Sequence, residues 1–173
     1  DLEILRGANI ELIYQDRLAI LGKNGSGKTT LIRMLLKDSS LEESIYNWGS
    51  KLNIGYLAQE VKFNDESLSV LDYFMNEHEV SQNRARTELA KALFIRDDVF
   101  KSIKNLSGGE KSKLKLCSLT FNNVNFMILD EPTNHLDIDS REILEDLLLE
   151  FDGTILFVSH DRYFIKKIAN RIG

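Results

Sequence analysis

The run GKNGSGKTT, Gly22 to Thr30, limits the possible folds more than any other part of this 173-residue chain. It lies between the short apolar run RLAIL (17–21) and a segment in which Leu31, Met34 and Leu35 recur at helical spacing. Strand, glycine loop and helix in this order predict a phosphate-binding turn in a parallel α/β sheet. The alternative is a glycine-rich turn that precedes a helix by chance, but the run fits G-x-x-x-x-G-K-[ST] in full.

The residue types of this loop suit the binding of a nucleoside triphosphate. Glycines let main-chain N–H groups converge on an anion, and the helix dipole adds partial positive charge. We expect Lys28 to lie near the outer phosphates and the Thr29 hydroxyl to face Mg²⁺. The expected nucleotide contacts in the loop are Gly22, Asn24, Gly25, Ser26, Gly27, Lys28, Thr29 and Thr30.

Two adjacent acids follow the apolar run Phe126 to Leu129. Because successive side chains of a strand point to opposite faces, Asp130 and Glu131 are predicted to have different roles. Asp130 is the expected partner of Mg²⁺, and Glu131 is the expected base that orients or deprotonates an attacking water. Acids that merely solvate the end of a strand are the alternative, which the phosphate loop makes less favourable.

A histidine and a glutamine also follow apolar segments. His160 comes after the run Ile155 to Val158, where an imidazole could contact a γ-phosphate or position water. Gln59, after Tyr56-Leu57-Ala58, could sense Mg²⁺ or the water. By spacing alone, a structural histidine and a surface glutamine are the more ordinary interpretations.

A second glycine-rich helix start, LSGGE, occupies Leu106 to Glu110. Ser107 and Glu110 have the spacing of a capping box, which explains those two residues. It does not explain Gly108 and Gly109, which cost a helix about 1 kcal/mol each relative to alanine. Bare backbone at this helix start indicates contact with an anion, which we expect to be a nucleotide held by a second copy of the domain.

The region from Glu60 to about Lys104 reads as a mostly helical insertion. Helices are predicted over 68–75 and 81–95, the second with one apolar face formed by Ala85, Leu89, Ala92 and Leu93. Downstream, the runs at 139–151 and 153–160 predict a helix and another buried strand, so the chain should form a parallel sheet covered on both faces.

Composition limits the binding partners and the cellular compartment that fit this protein. A formal net charge of −5 is not typical of a protein that binds nucleic acid over its whole surface. The single cysteine, Cys117, favours the reducing cytoplasm, and no apolar run of about 18 residues predicts a membrane span.

Together these motifs resemble the nucleotide-binding domain of ABC ATPases. The phosphate loop matches the family's Walker A motif, Gln59 its Q-loop, Leu106–Glu110 its signature, Ile128–Glu131 its Walker B motif and His160 its switch histidine. The resemblance implies an α/β fold: a P-loop NTPase parallel-sheet core, a signature-bearing helical subdomain (60–104) and a small N-terminal β portion. It also implies Mg²⁺-dependent ATP hydrolysis within a head-to-tail pair of domains, with Ser107, Gly108, Gly109 and the D-loop residue Asp137 also contacting nucleotide.

The sequences EPTNHLD (131–137), followed by IDSRE (138–142), and FVSHDRYF (157–164) are similar to the ABC-F group. That group implies a cytoplasmic protein with two such domains that acts on the ribosome, in translation or in antibiotic resistance. An ATPase subunit of a membrane transporter and a non-catalytic ATP switch are the alternatives. The family's adenine-stacking aromatic has no match, since Tyr14 is not given that role, and the family continues with strands beyond Gly173, so 1–173 is interpreted as one truncated domain.

Overall fold

Five parallel strands form a single sheet in the computed structural model, which describes residues 10–22, 26–36, 51–134 and 136–173. The sheet order is β2-β3-β4-β1-β5. The strands are β1 (Arg17–Ile20), β2 (Ile54–Leu57), β3 (Phe126–Asp130), β4 (Thr154–Val158) and β5 (Arg171–Ile172). The predicted parallel sheet is therefore confirmed, and β2 and β5 are additions that the sequence analysis did not identify.

Helices connect the strands, and several begin at a side-chain cap. They are α1 (Lys28–Leu36), α2 (Val70–His78), α3 (Gln82–Lys91), α4 (Gly108–Phe121), α5 (Ile138–Glu150) and α6 (Arg162–Ile168), with 3₁₀ turns at Arg96–Phe100 and Ile103–Asn105. Ser69, Ser81, Ser107, Asp137 and Asp161 each accept a hydrogen bond from a main-chain N–H in the first turn that follows. No helix in these ranges is long and apolar enough to cross a membrane.

The sheet separates two apolar clusters, because alternate strand residues point to opposite faces. On one face, Leu18, Ile128 and Leu156 pack with Ile32 of α1. On the other face, residues such as Met127 and Phe157 pack with the buried sides of α4, α5 and α6, and the cluster continues into α2 and α3. Each fully buried side chain of this size stabilises the fold by about 1.5–3 kcal/mol.

The segment after α3 corrects one sequence prediction. Helix α3 ends at Lys91 rather than at 95, and Leu93 is 54% exposed with φ of 57° instead of lying on the buried face. The N–H groups of Phe94 and Leu93 bond to the carbonyl oxygens of Leu89 and Ala90, the pattern of a Schellman helix end. This turn reverses the chain so that Phe94 enters the core, as Ala85, Leu89 and Ala92 do.

Between β2 and α4, the chain contributes α2, α3 and the two 3₁₀ turns but no strand of the sheet. This is the region predicted as a helical insertion at 60–104. The small N-terminal β portion falls largely on residues 1–9, which lie outside the described residues.

Candidate active site at the carboxyl edge of the sheet

The strand order brings the separate sequence motifs to one edge of the sheet. Ile20 at the end of β1 and Asp130 at the end of β3 are both in register with Val158 at the end of β4. Leu57 of β2 is in register with Leu129, next to Asp130. The glycine loop, the two acids, His160 and Gln59 all follow these strand ends, where ligands bind in open parallel sheets.

The lysine at the end of the glycine loop contacts the residue at its start. Lys28 Nζ donates to the carbonyl oxygen of Gly22 over 2.8 Å, and the Leu31 N–H donates to Gly27 O over 2.8 Å as α1 begins. Gly27 has a φ of 93°, a conformation that other residues rarely adopt. Lys23, Asn24 and Gly25 lie outside the described residues, so the described part of the loop is its two ends.

Asp130 lies at the end of β3 beside the start of α1. The Thr29 hydroxyl donates to Asp130 Oδ1 over 3.5 Å, and the aspartate is only 2% exposed. Burial raises the pKa of Asp130 above its ordinary value, and the Thr29 hydrogen bond and the charges of Arg33 and Lys28 oppose that rise. A cation near this carboxylate would favour its ionised form.

The oxygen donors Thr29 and Asp130 fit Mg²⁺, which prefers hard oxygen ligands and keeps several of its waters. In the described part of the chain, no group of three or more His, Cys, Asp or Glu side chains could hold a metal ion. Mg²⁺ commonly takes further ligands from substrate phosphates and water.

Glu131 and His160 lie together at the ends of β3 and β4. Glu131 Oε2 accepts the His160 main-chain N–H over 3.2 Å, and Oε1 lies 3.3 Å from His160 Nε2. Glu131 is 9% exposed, whereas the His160 side chain is 48% exposed. The arrangement holds a carboxylate in place under an imidazole that reaches solvent, which suits positioning of a water and contact with an incoming anion.

The different environments of the two acids arise from the backbone as well as from strand alternation. Asp130 is the last residue of β3, but Glu131 follows the strand with φ of 49°, and its N–H donates to Val158 O over 2.9 Å. A non-glycine residue in this left-handed region stores strain, which is common at functional sites. This turn directs Glu131 toward His160 rather than toward Thr29.

The start of α4 has the predicted capping box. The Ser107 N–H donates to Glu110 Oε2 over 2.8 Å, and the Glu110 N–H donates to Ser107 Oγ over 3.1 Å. A Cβ added to Gly108 would meet nothing within 4 Å. A Cβ added to Gly109 would lie 2.8 Å from Ser140 Oγ and 2.9 Å from Ser140 Cβ. Packing against Ser140 therefore gives one reason for a glycine at 109, whereas no packing contact explains the glycine at 108.

The remaining candidates lie around this edge. Gln59 is exposed just after β2. Asp137 caps α5 by accepting the Ser140 N–H over 2.7 Å, a hydrogen bond that lowers the pKa of Asp137. Ser26 and Thr30 are exposed beside the glycine loop. The Tyr14 hydroxyl donates to the Asp152 carbonyl oxygen over 2.9 Å, at the opposite end of β4 from His160.

One polar contact beside the site could not be predicted from the sequence. Arg141 of α5 forms an ion pair with Asp161, the residue after His160, with 2.6 Å between Nη1 and Oδ2. The run IDSRE contains Arg141 but does not reveal this contact, because the pairing depends on how α5 packs against α6.

Comparisons with known proteins agree on the family of this chain. The model of the family described as "ABC transporter" matches residues 5–134. YdiF of Bacillus subtilis is 43% identical over 170 residues, covering 98% of this chain and 26% of that protein. The ribosome protection protein VmlR of B. subtilis is 39% identical over 168 residues, covering 96% of this chain and 30% of that protein.

Solved structures agree on the fold. A chain from an ABC transporter of the metal-chelate type, in an inward-facing conformation, superposes with a TM-score of 0.72 at 23% identity. That match covers 99% of this chain and 74% of the other. The likeness shows the fold alone. The chain spans about a quarter to a third of the length of the two curated relatives above.

Proposed function

Since the chain belongs to the ABC transporter family, we propose that it is an ATPase domain of the ABC-F type in which Glu131 and His160 form the hydrolytic centre. The observation that carries this proposal is the Glu131 carboxylate fixed by the main-chain N–H of His160 at the carboxyl edge of the sheet. The phosphate loop follows β1, directly beside β4 in the sheet order, so a γ-phosphate held there would face the Glu131–His160 pair.

Each side of the site has its own task in this proposal. Lys28 and the main-chain N–H groups from Gly22 to Thr30 bind the phosphates, and Thr29, Asp130 and Gln59 serve Mg²⁺. The metal would supply charge neutralisation at the outer phosphates. Glu131 accepts a proton from the attacking water, and His160 holds that carboxylate through its main-chain N–H and presents its imidazole to the γ-phosphate.

The signature residues act on a different nucleotide. We propose that Ser107, Gly108, Gly109 and Asp137 face an ATP held by the phosphate loop of a second cassette, in a head-to-tail pair. The open space around Gly108 supports this assignment, because main chain without a neighbouring side chain leaves room for an anion at a helix start. We also propose that residues 60–104 form a helical subdomain, which directly precedes the signature residues in sequence.

Replacing the proposed base tests the hydrolytic centre. Glu131→Gln should lower the steady-state rate of phosphate release by roughly 10²–10⁴-fold, because the amide cannot accept the proton. ATP binding should remain, and the exposed change Glu150→Gln should leave the rate unchanged. Wild-type turnover in the Glu131 variant would show that the assigned base is wrong, and a wild-type protein that releases no phosphate would favour a non-catalytic switch.

We propose further that the complete protein acts on the ribosome in the cytoplasm, in translation or in resistance to antibiotics. The name of VmlR and the Asn134-His135 pair before Leu136-Asp137 support this proposal. The complete Glu131→Gln protein should sediment with ribosomes in the presence of ATP and not in its absence. Co-purification with a membrane-embedded subunit instead would favour the second candidate, an ATPase subunit of a transporter, which the family description supports.

A further inference from the structure

We propose that Arg141 is a positioning residue for the hydrolytic centre, acting through Asp161. The two residues form an ion pair of 2.6 Å between the first turn of α5 and the start of α6. Asp161 directly follows His160, the residue whose main-chain N–H holds Glu131. The inference rests on the proposed function of Glu131 and His160, and it assigns a role to Arg141, which the sequence analysis named only as part of the run IDSRE.

Asp161 divides its two carboxylate oxygens between two tasks. Oδ1 accepts the N–H groups of Tyr163 and Phe164 over 2.9 and 3.1 Å, and so caps α6. Oδ2 contacts Arg141. The Asp161 N–H donates to Ser159 Oγ over 3.1 Å. Because Asp161 is fixed at both its main chain and its side chain, a displacement of Arg141 would reach the turn that carries His160.

The same α5 turn also lies against the start of the signature helix α4. The Arg141 N–H donates to the Asp137 carbonyl oxygen over 3.0 Å, and the neighbouring Ser140 is the residue that a side chain at Gly109 would strike. The first turn of α5 therefore lies between the start of α4 and the turn after β4. Arg141 joins this turn to Asp161, the residue next to His160, so it links the signature end of the cassette to its hydrolytic end.

Stability alone does not account for an arginine at this position. Arg141 Nε is buried and has no hydrogen-bond acceptor among the described residues, which costs free energy. A second ion pair, between Lys167 Nζ and Glu145 Oε2 at 2.7 Å with Asp146 Oδ1 also 3.9 Å from Nζ, already joins α5 to α6. The two pairs share one interface, but only the Arg141 pair adjoins His160.

This shared interface supplies a matched control. Arg141→Met and Asp161→Asn remove the first ion pair, and asparagine keeps an oxygen that can cap α6. Lys167→Met removes the second. In the complete protein, we expect Arg141→Met and Asp161→Asn to lower kcat about 10-fold or more with unchanged ATP affinity, since a misplacement of about 1 Å can cost 10²-fold. Lys167→Met should leave kcat near the wild-type value even if it lowers the unfolding temperature.

Two further results distinguish positioning from mere stability. The double variant Arg141→Met/Asp161→Asn should be no slower than the slower single variant, because both changes break one contact. Arg141→Lys should restore part of the rate. A kcat for Arg141→Met equal to that of Lys167→Met would overturn the inference.

A measurement without ATP separates this inference from the proposed function. The imidazole NMR signals of His160, assigned with His160→Gln in nucleotide-free protein, should shift in Arg141→Met and Asp161→Asn but not in Lys167→Met. Unmoved signals would overturn the positioning role of Arg141. A protein that shows the shifts but hydrolyses no ATP would refute the proposed function while supporting the link from Arg141 to His160.

Discussion

The starts of helices α1 and α4 both carry glycines, but they are completed in different ways. At α1, side chains from the same chain surround the loop: Lys28 bonds to Gly22 O, and Thr29 meets Asp130. At α4, the capping box of Ser107 and Glu110 satisfies the helix end, and the position beside Gly108 is open. The first is a site built from several strand ends, and the second is a bare surface beside a capped helix.

This difference indicates that the two helix starts serve different ligands or different copies of one ligand. A phosphate at α1 would find a lysine, a hydroxyl and buried acids within the same cassette. A phosphate at α4 would contact only main chain and a serine, so the catalytic groups must come from the protein that holds that phosphate. A second cassette in the opposite orientation would supply those catalytic groups.

The largest expected effect concerns the α1 side. Lys28→Met, in the Glu131→Gln background so that ATP persists, should weaken ATP binding roughly 10- to 100-fold, because hydrogen bonds to charged groups contribute about 1.5–3 kcal/mol. Isothermal titration calorimetry of the complete protein measures this, with the exposed change Lys104→Met as the control. Equal affinities in both variants would remove Lys28 from the binding site.

On the α4 side, Gly108→Ala should lower the ATPase rate of the complete protein about 10-fold or more, because the added methyl displaces an approaching phosphate. Stability should not fall, since the methyl meets nothing within 4 Å and alanine favours a helix by about 1 kcal/mol over glycine. Phosphate release and thermal unfolding measure the two effects.

Gly109→Ala is the neighbouring control. Its methyl would lie 2.8 Å from Ser140 Oγ, so the free energy of unfolding should fall by about 1–3 kcal/mol. If Gly108→Ala destabilised the protein and left turnover intact, the two helix starts would not differ in the way described.

A smaller effect on stability is expected at Asp130. Because burial raises its pKa, the nucleotide-free fold holds this proton more tightly than the unfolded chain does. Ionised Asp130 therefore lowers stability, and the loss develops as pH rises from near 3.8 through the raised pKa. Asp130→Asn should raise the unfolding temperature at pH 7 but not below pH 3, and should lower Mg²⁺-dependent hydrolysis. A variant that unfolds earlier at pH 7 would contradict this account.

The smallest effect should occur away from both helix starts. Leu93 has φ of 57° and is 54% exposed, so Leu93→Gly should raise the free energy of unfolding by about 1 kcal/mol without changing turnover. Urea denaturation measures the gain. Leu93→Ala is the matched control, because alanine loses the same side chain but keeps the backbone strain. Equal stabilities of these two variants would remove the strain as the cause.

The sequence predicted the strands that are apolar on both faces, and it missed those that are not. The runs at β3 and β4 are continuous because both faces are buried. Strand β2 was missed since IGYL contains Gly55, which makes room for Val124. The predicted helix over 81–95 was too long, because propensity did not reveal that the chain turns at Leu93 to bury Phe94.

The types of the site residues could be predicted, but their contacts could not. The pattern G-x-x-x-x-G-K-[ST] and the adjacent acids mark their chemistry locally. The proximity of Glu131 to His160 depends on the pairing of β3 with β4, which joins segments far apart in sequence. The contact of Gly109 with Ser140 and the ion pair of Arg141 with Asp161 likewise need the packing of α5 against its neighbours.

The most direct measurement is a structure of the complete Glu131→Gln protein with ATP and Mg²⁺. The account predicts a closed pair of cassettes in which the main chain at Gly108 lies within hydrogen-bonding distance of a phosphate whose other contacts come from the opposite phosphate loop. A closed, ATP-loaded protein with Gly108 far from every phosphate would contradict it.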